Sequence, residues 1–169
     1  MISFLNLTQH QLWDIGGIDG LQVAQSLFGE SVHRLAPFQS LETTLEGLPC
    51  SVLRLCEGNF RVAWNQHEQI LKQKLQLAQL DQCVWVKQFP WLSSIALPDA
   101  IGMSYLLNLA ISKPPHRLTG LPLHCAAPAR IDGISVLIWR HLIAQQPAIE
   151  LHIATHQIDM MVDRLKHQT

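Results

Sequence analysis

Charged side chains are scarce in this 169-residue sequence: Asp, Glu, Lys and Arg make up 15% of it, and its formal net charge is −1. Soluble domains carry about 25% charged residues, so we expect a surface that is largely neutral and polar, or partly covered by partners. A phosphate backbone is held by a positive field, which this composition does not supply. We therefore expect no nucleic-acid partner.

Long hydrophobic runs and a secretion leader are also missing. No run approaches the ~18 apolar residues that a membrane-spanning helix needs. The first seven residues, MISFLNL, lack the basic segment and the small-residue cleavage site of a signal peptide. The sequence therefore predicts a cytoplasmic protein that is not inserted in a membrane.

The four cysteines, Cys50, Cys56, Cys83 and Cys125, form no Cys-x-x-Cys pair. Cys50 and Cys56 belong to one predicted strand run and are too far apart along it for a disulfide. We expect reduced and mostly buried thiols, as is usual in the cytosol.

Signatures of catalysis and of cofactor or metal binding are absent as well. There is no Gly-x-Ser-x-Gly elbow and no phosphate-binding glycine loop. The stretch 14–20, DIGGIDG, lacks a lysine and the spacing of calcium ligands, and we expect a flexible loop. His152 and His156 fall on a strand end and a helix start, and His124 and Cys125 are adjacent, so neither pair converges on one ion. The acids are scattered. The sequence predicts no catalytic residue, no cofactor and no metal.

A β-hairpin followed by a helix is the clearest pattern that the sequence does contain. Residues 51–55 and 60–64 alternate around Glu57-Gly58-Asn59, which is typical of a tight hairpin. Asn65 and Glu68 form a capping-box pattern at the start of the next helix. The apolar face of that helix is predicted to comprise Ile70, Leu71, Leu75 and Ala78.

A second copy of this plan closes the chain. Strands over 134–142 and 148–154 precede a helix that Thr155 caps. Its predicted apolar face comprises Ile158, Met161, Val162 and Leu165. We therefore expect an α+β fold of antiparallel β-hairpins, each followed by a packing helix, with the two hairpin-helix units in one core.

The other segments predict connecting elements within a single domain, 1–169. The N-terminal segment, 1–47, holds an edge strand, a short helix from Thr8 to Trp13, a helix over 20–28 and a strand over 41–45. The first hairpin-helix unit, 48–112, continues through a strand over 83–89 to a further helix. Residues 113–132 form a proline-rich linker, and 133–169 form the second unit. The helix that opens at Pro98-Asp99 has a predicted buried stripe of Ile101, Tyr105, Leu106, Leu109 and Ala110.

Tryptophan is abundant, with five residues. Trp64 and Trp139 occupy equivalent places in the two hairpins and are expected in the core. Trp13 lies in a marginal helix and Trp91 in a loop, which makes them candidates for a protein interface. The predicted interface residues are Trp13, Leu21, Phe28 and Trp91, with the solvent side of the helix 65–80 as an alternative surface.

Four patterns together resemble the N-terminal part of the cytoplasmic C-ring, or sorting-platform, protein of bacterial type III secretion, a relative of the flagellar motor switch proteins. They are the amphipathic opening 4–13, the hairpin 50–64 with its helix, the step Ile95-Ala96-Leu97-Pro98-Asp99 into the helix 100–111, and the closing hairpin and helix. Members of that family continue into two small β domains, whereas this sequence ends at Thr169 with neither, which leaves an N-terminal fragment and a short gene open as expectations.

The resemblance implies a non-enzymatic scaffold. Its implied partners are a secretion adaptor subunit, the stator of the secretion ATPase and chaperone–substrate complexes, which would hold it peripheral to the inner membrane. Two alternatives remain open. One is a small-molecule-binding or enzymatic α+β domain with His124, Cys125 and the proline-rich loop at a pocket rim. The other is a secretion chaperone.

Overall fold

The computed structural model describes residues 11–64 and 67–167. These residues fall into two compact units, 11–89 and 90–167. The boundary therefore lies between Phe89 and Pro90, and the stretch 113–132, expected to be a linker, lies within the second unit. The edge strand expected over residues 1–7 and the cap expected at Thr8 lie outside the described residues.

Helices α1 and α2 pack against an antiparallel sheet in the first unit. The strand order is β2-β3-β4-β1-β5, so β1, the first described strand, pairs with β4 on one side and β5 on the other. The described elements are β1 (Gln11–Gly16), α1 (Gly20–Phe28), a 3-10 turn (Glu30–Arg34), β2 (Ser40–Leu45), β3 (Leu48–Cys56), β4 (Asn59–Trp64), α2 (Glu68–Gln79) and β5 (Trp85–Gln88).

The first predicted hairpin is confirmed. Strands β3 and β4 pair antiparallel, with Val52 opposite Val62, and the chain turns at residues 57–58. Phe60, Val62 and Trp64 alternate along β4 and are fully buried, as the two-residue period of a strand requires.

The helix expected to end at Trp13 is instead strand β1, which is a correction to the sequence analysis. Trp13 and Ile15 share one face of this strand, Leu12 and Asp14 share the other, and all four are buried. An isolated short helix is marginal because its nucleation is costly. A strand paired along both edges gains backbone hydrogen bonds and buries both faces.

The glycine-rich stretch after β1 is a packed junction rather than the flexible loop that its composition suggested. A Cβ at Gly20 would clash with the carbonyl oxygen of Gly58 in the hairpin turn, and one at Gly17 would clash with the Cys83 carbonyl. The Asp19 carboxylate accepts a hydrogen bond of 2.6 Å from the Cys83 amide. Glycine is required here because backbone lies directly against backbone.

Helix α2 has the predicted apolar face. Leu71 and Leu75 are fully buried, and Ile70 and Ala78 pack against the same core. Asn65, the predicted cap, lies outside the described residues. His67 precedes the helix and makes no capping hydrogen bond with its side chain.

The second unit is also an antiparallel sheet with two described helices. Its strand order is β6-β10-β9-β8-β7. The described elements are β6 (Leu92–Pro98), α3 (Asp99–Leu109), β7 (Ala110–Ser112), β8 (Cys125–Ile131), β9 (Ile134–Ile143), β10 (Gln146–Ala154), a 3-10 turn (Thr155–Gln157) and α4 (Ile158–Lys166).

The predicted buried stripe of α3 is confirmed for Leu106, which is buried, and for Tyr105, Leu109 and Ala110, which pack against the core, but it is wrong for Ile101. Gly102 and Leu106 are its buried residues, whereas Ile101 is 57% exposed. A Cβ at Gly102 would lie 2.8 Å from the Leu97 Cβ and 3.4 Å from the Ile149 Cδ1. The glycine therefore marks the face that approaches the sheet closely, and this rotation turns Ile101 towards the surface.

The proline-rich stretch contributes strand β8 to the interior of the sheet, between β7 and β9. Pro128 lies opposite Leu137 of β9. Proline lacks an N–H and is rare at such a position. Its carbonyl still accepts a hydrogen bond of 2.9 Å from the Lys113 amide, so the proline does not prevent pairing on that side.

The closing hairpin and helix are confirmed in outline. Strands β9 and β10 pair antiparallel, and Met161 and Leu165 are the buried residues of α4. Thr155 does not cap α4 directly, because a 3-10 turn comes first. Its hydroxyl instead donates to the Pro90 carbonyl at 3.1 Å.

The α+β class, with antiparallel hairpins followed by packing helices, is therefore confirmed. The single shared core is not what the structure shows. Val52 and Trp64 belong to a hydrophobic cluster of the first unit, and Val136 belongs to a cluster of the second. Each sheet packs its own helices, because each has an apolar face that can be buried locally.

Candidate functional site

Two of the predicted interface residues lie in the core of the first unit. Trp13 is 7% exposed and Phe28 is 5% exposed, and both pack in the same hydrophobic cluster. The expectation that they are exposed is therefore wrong. Trp13 is buried because β1 is an inner strand, and Phe28 because it shares the inner face of α1 with Val23 and Ala24.

The other two predicted interface residues are accessible to different degrees. Leu21 is half-buried and packs against the first core. Trp91 is 58% exposed, and its carbonyl accepts a hydrogen bond of 2.6 Å from the Thr155 amide. Leu21 belongs to the first unit and Trp91 to the second, and their role in binding stays a prediction.

His124 and Cys125, the proposed pocket rim, are held by the sheet. The His124 amide donates to the Arg140 carbonyl at 2.7 Å, and Cys125 lies opposite Arg140 across β8 and β9. Burial raises the pKa of the Cys125 thiol. A thiol with a raised pKa carries little thiolate at neutral pH, so Cys125 is a poor nucleophile.

Arg140 joins β9 to the start of α3. Its guanidinium donates two hydrogen bonds to the Asp99 carboxylate, at 2.7 and 2.8 Å, and a third to the Leu121 carbonyl, at 2.8 Å. The hydrogen bonds that it donates to Asp99 raise the pKa of Arg140 above its usual value. The first unit has a comparable pair, in which Arg61 donates to Asp14 at 2.7 and 3.0 Å from the neighbouring strand. Both pairs satisfy their own charges.

The most unusual chemical feature is a buried polar cluster on β9 and β10. Both oxygens of the Glu150 carboxylate accept a hydrogen bond: one from the His141 Nε2 at 2.7 Å, the other from the His152 Nε2 at 3.0 Å. The Trp139 ring stacks on the His141 ring with centroids 3.8 Å apart, and it meets the His152 ring edge-on at 5.8 Å. All four side chains are 0–2% exposed.

This cluster was missed in the sequence analysis, which considered His152 only as a metal ligand and did not single out Glu150. The available signal was the alternation of Glu150 and His152 on one face of a strand whose other face is apolar. A buried carboxylate needs hydrogen-bonding partners, and here both imidazoles supply them. Among residues 11–64 and 67–167, no group of three or more His, Cys, Asp or Glu side chains is arranged to hold a metal ion.

Three large apolar residues are exposed along α3 and β7 in the second unit. Ile101, Leu107 and Ile111 are 57%, 43% and 78% exposed, and we call these three residues the α3–β7 surface. Helices of globular proteins usually bury their large apolar side chains and expose polar ones. The exposed apolar residues of α3 are therefore candidates for contact with another chain or domain.

No described helix is long and apolar enough to cross a bilayer; α2, for example, has 12 residues.

No protein-family model and no curated protein sequence matches the chain. Solved structures do match it. Glycine cleavage system aminomethyltransferase T from Bartonella henselae superposes with a TM-score of 0.74 at 16% identity, over 94% of this chain and 44% of that one. A chain of heterotetrameric sarcosine oxidase from Corynebacterium sp. U-96 superposes with a TM-score of 0.71 at 16% identity, over 97% of this chain and 81% of that one.

This chain shares its fold with both enzymes. It spans less than half the length of the aminomethyltransferase and most of the sarcosine oxidase chain. The expected role as a type III secretion scaffold is overturned by this finding, because neither neighbour is a secretion protein. The hairpin-helix patterns behind that expectation are common to many α+β folds.

Proposed function

We propose that this chain is a non-catalytic subunit of a larger amine-metabolising enzyme, held there through the α3–β7 surface. The observation that carries the proposal is the exposure of Ile101, Leu107 and Ile111 on α3 and the strand that follows it. Isolated exposed apolar residues are ordinary, but three on one short segment are typical of an interface.

The comparison with sarcosine oxidase supports an assembled state. That enzyme is described as heterotetrameric, and 97% of this chain aligns with 81% of one of its chains. A protein of this size and fold therefore has a counterpart that works within a complex.

The hydrogen bonds that three acidic side chains accept from internal partners support a non-catalytic role. Asp14, Asp99 and Glu150 each accept two hydrogen bonds from cationic or imidazole side chains. A general acid or base must be able to reach a substrate proton. These groups are occupied by internal partners, which suits a role in holding the fold.

Purification of the tagged chain from its own organism tests the proposal. We expect it to copurify in fixed stoichiometry with larger subunits, and the complex to show sarcosine-dependent oxygen consumption or aminomethyl transfer that the isolated chain lacks. Ile101→Asp with Leu107→Asp should weaken the complex at least 100-fold, since a carboxylate would be buried without a partner. Asn108→Asp, which adds a charge to an exposed residue of the same helix, is the matched control. Activity of the isolated chain, or a complex indifferent to both aspartates, would refute the proposal.

A second candidate function, binding of a small amino acid, is favoured by one groove of the second unit. Its volume is about 380 Å³, within the roughly 300–1,000 Å³ of small-molecule sites. It is lined by Asp132, Ile134, Met160, Asp163, Arg164 and His167. Arg164 pairs with Asp132, which leaves the Asp163 carboxylate for an ammonium group. Calorimetric titration with sarcosine should give saturable heat that Asp163→Asn removes; no heat with the unaltered chain excludes this function.

A further inference from the structure

A narrow groove lies between α1 and the C-terminal end of α2 in the first unit. Its volume is about 240 Å³, which is below the roughly 300–1,000 Å³ that small-molecule sites occupy. A groove of this size accepts one large side chain rather than a cofactor. It is lined by Gln22, Val23 and Ser26 on one wall and by Leu77, Ala78, Asp81 and Gln82 on the other.

The lining combines an apolar surface with a single charge. Val23, Leu77 and Ala78 supply the apolar part, and Asp81 is the only ionisable residue among the lining residues. In the part of the chain that the structure describes, no cation pairs with the Asp81 carboxylate, whereas Asp14 is paired with an arginine. Gln22, Ser26 and Gln82 also line the groove, and their side chains can accept hydrogen bonds.

Exposed apolar residues lie next to the groove. Leu80 is 74% exposed and lies between the lining residues Leu77 and Asp81. Ile18 is 87% exposed and directly precedes Asp19, whose carboxylate is bound to the Cys83 amide. The loop that carries Ile18 is thus fixed against the segment after α2. A rim ordered before binding reduces the entropic cost of docking.

We propose that this groove binds an arginine side chain of a protein partner, and that apolar residues beside that arginine contact Ile18 and Leu80. The aliphatic stem of arginine suits the apolar wall. Its planar guanidinium can bind Asp81 through two hydrogen bonds and still donate to Gln22 or Gln82. Arginine is also among the residues that most often anchor interfaces. This inference goes beyond the proposed function, since it concerns another surface and needs no assembled enzyme.

The test is an NMR titration of the isotope-labelled full chain with N-acetyl-arginine amide. We expect saturable shifts of the backbone amides of Gln22, Ser26 and Gln82. The neutral isostere, N-acetyl-citrulline amide, should bind at least 10-fold more weakly, because it lacks the charge that Asp81 attracts. Asp81→Asn should weaken arginine binding by a similar factor, whereas Glu68→Gln, which removes an exposed charge from the other end of α2, should leave it unchanged.

A second titration separates a protein partner from a free guanidino ligand. The peptide acetyl-Leu-Arg-Leu-amide should bind at least 5-fold more tightly than acetyl-Gly-Arg-Gly-amide, and Leu80→Ser should abolish that difference. Equal affinity for the two peptides would overturn the assignment to a protein partner. Equal binding of arginine and citrulline, an unaffected Asp81→Asn variant, or no saturable shifts at these residues would overturn the groove as an arginine site. Self-association of the chain that Asp81→Asn abolishes would make the occupant a second copy and would overturn the inference as well.

Discussion

Replacing Glu150 with alanine should be among the most damaging single changes in the second unit. The change removes the acceptor of the hydrogen bonds from His141 and His152, which are 2.7 and 3.0 Å long and lie in a buried cluster. A hydrogen bond to a charged group contributes about 1.5–3 kcal/mol, and removing one member of a buried ionic cluster costs about 3–5 kcal/mol. We therefore expect the free energy of unfolding to fall by about 3–5 kcal/mol.

Urea denaturation followed by circular dichroism measures this loss. With a slope of about 2 kcal/mol per molar, typical of proteins of this size, the midpoint should fall by about 2 M. Glu150→Gln keeps the size and one acceptor and should lose clearly less. Asp159→Ala removes an exposed carboxylate from α4 and should stay within about 0.5 kcal/mol of the original chain.

A triple substitution tests whether the loss of stability in Glu150→Ala comes from polar groups that are left without hydrogen-bond partners. Replacing His141, Glu150 and His152 together by leucine removes the donors along with the acceptor, and such replacements of buried ionic clusters are often neutral or stabilising. We expect the triple variant to be more stable than Glu150→Ala. If Glu150→Ala and Asp159→Ala shift the midpoint equally, the cluster does not stabilise the fold and the reasoning is refuted.

Three further predictions concern the glycine junction, the thiols and the Arg140–Asp99 ion pair. Gly20→Ala should lower the melting temperature more than Gly29→Ala, because a Cβ at position 20 meets the Gly58 carbonyl, whereas one at position 29 meets no atom within 4 Å and adds only the strain of a φ of +96°; equal losses would contradict the packed junction. Exposed Cys56 and Cys83 should react with a thiol reagent before Cys50, because burial and the nearby Glu42 carboxylate raise the pKa of the Cys50 thiol to about 12. Since the unfolded thiol ionises first, stability should fall as the pH rises above about 9, and Cys50→Ala should remove that part of the fall; a fast-reacting Cys50 would contradict its burial. Arg140→Lys should lower the free energy of unfolding, measured by urea denaturation, by about 1–2 kcal/mol, because lysine cannot donate two parallel hydrogen bonds to Asp99. An unchanged free energy of unfolding would show that the Arg140–Asp99 pair contributes little to stability.

Local patterns were sufficient to predict several elements. Phe60, Val62 and Trp64 alternate around a turn that contains glycine, and Leu71 and Leu75 recur at helical spacing, so their burial follows from the geometry of one strand or one helix. The α+β class follows from these elements.

The remaining features depend on contacts between residues that are distant in sequence. Ile101 is exposed because the neighbouring Gly102, rather than Ile101 itself, faces Leu97 and Ile149. Cys125–Ile131 is a strand, despite Pro128, because β7 and β9 pair with it from both sides. Tertiary pairing overrides local propensity in such cases.

Most of the candidate sites could not be predicted from the sequence, because they also depend on contacts between different elements. Glu150 and His141 are nine residues apart and meet only because β9 and β10 pair in one register. Asp81 and Gln22 line one groove only because α1 and α2 lie side by side. Trp13 was assigned to a surface because it was expected in a marginal helix. It is buried because it lies in a strand, whose pairing partners for Trp13, Val62 and Gln88, are distant in sequence.

The contact between Gly20 and Gly58 determines where a reporter can be inserted in the first unit. Hairpin tips usually tolerate added residues, yet the tip at residues 57–58 rests on the first residue of α1 and would push that helix away if it were lengthened. A Cβ at Gly47, between β2 and β3, would meet no atom within 4 Å. An epitope or a fluorescent label placed there should leave the protein folded.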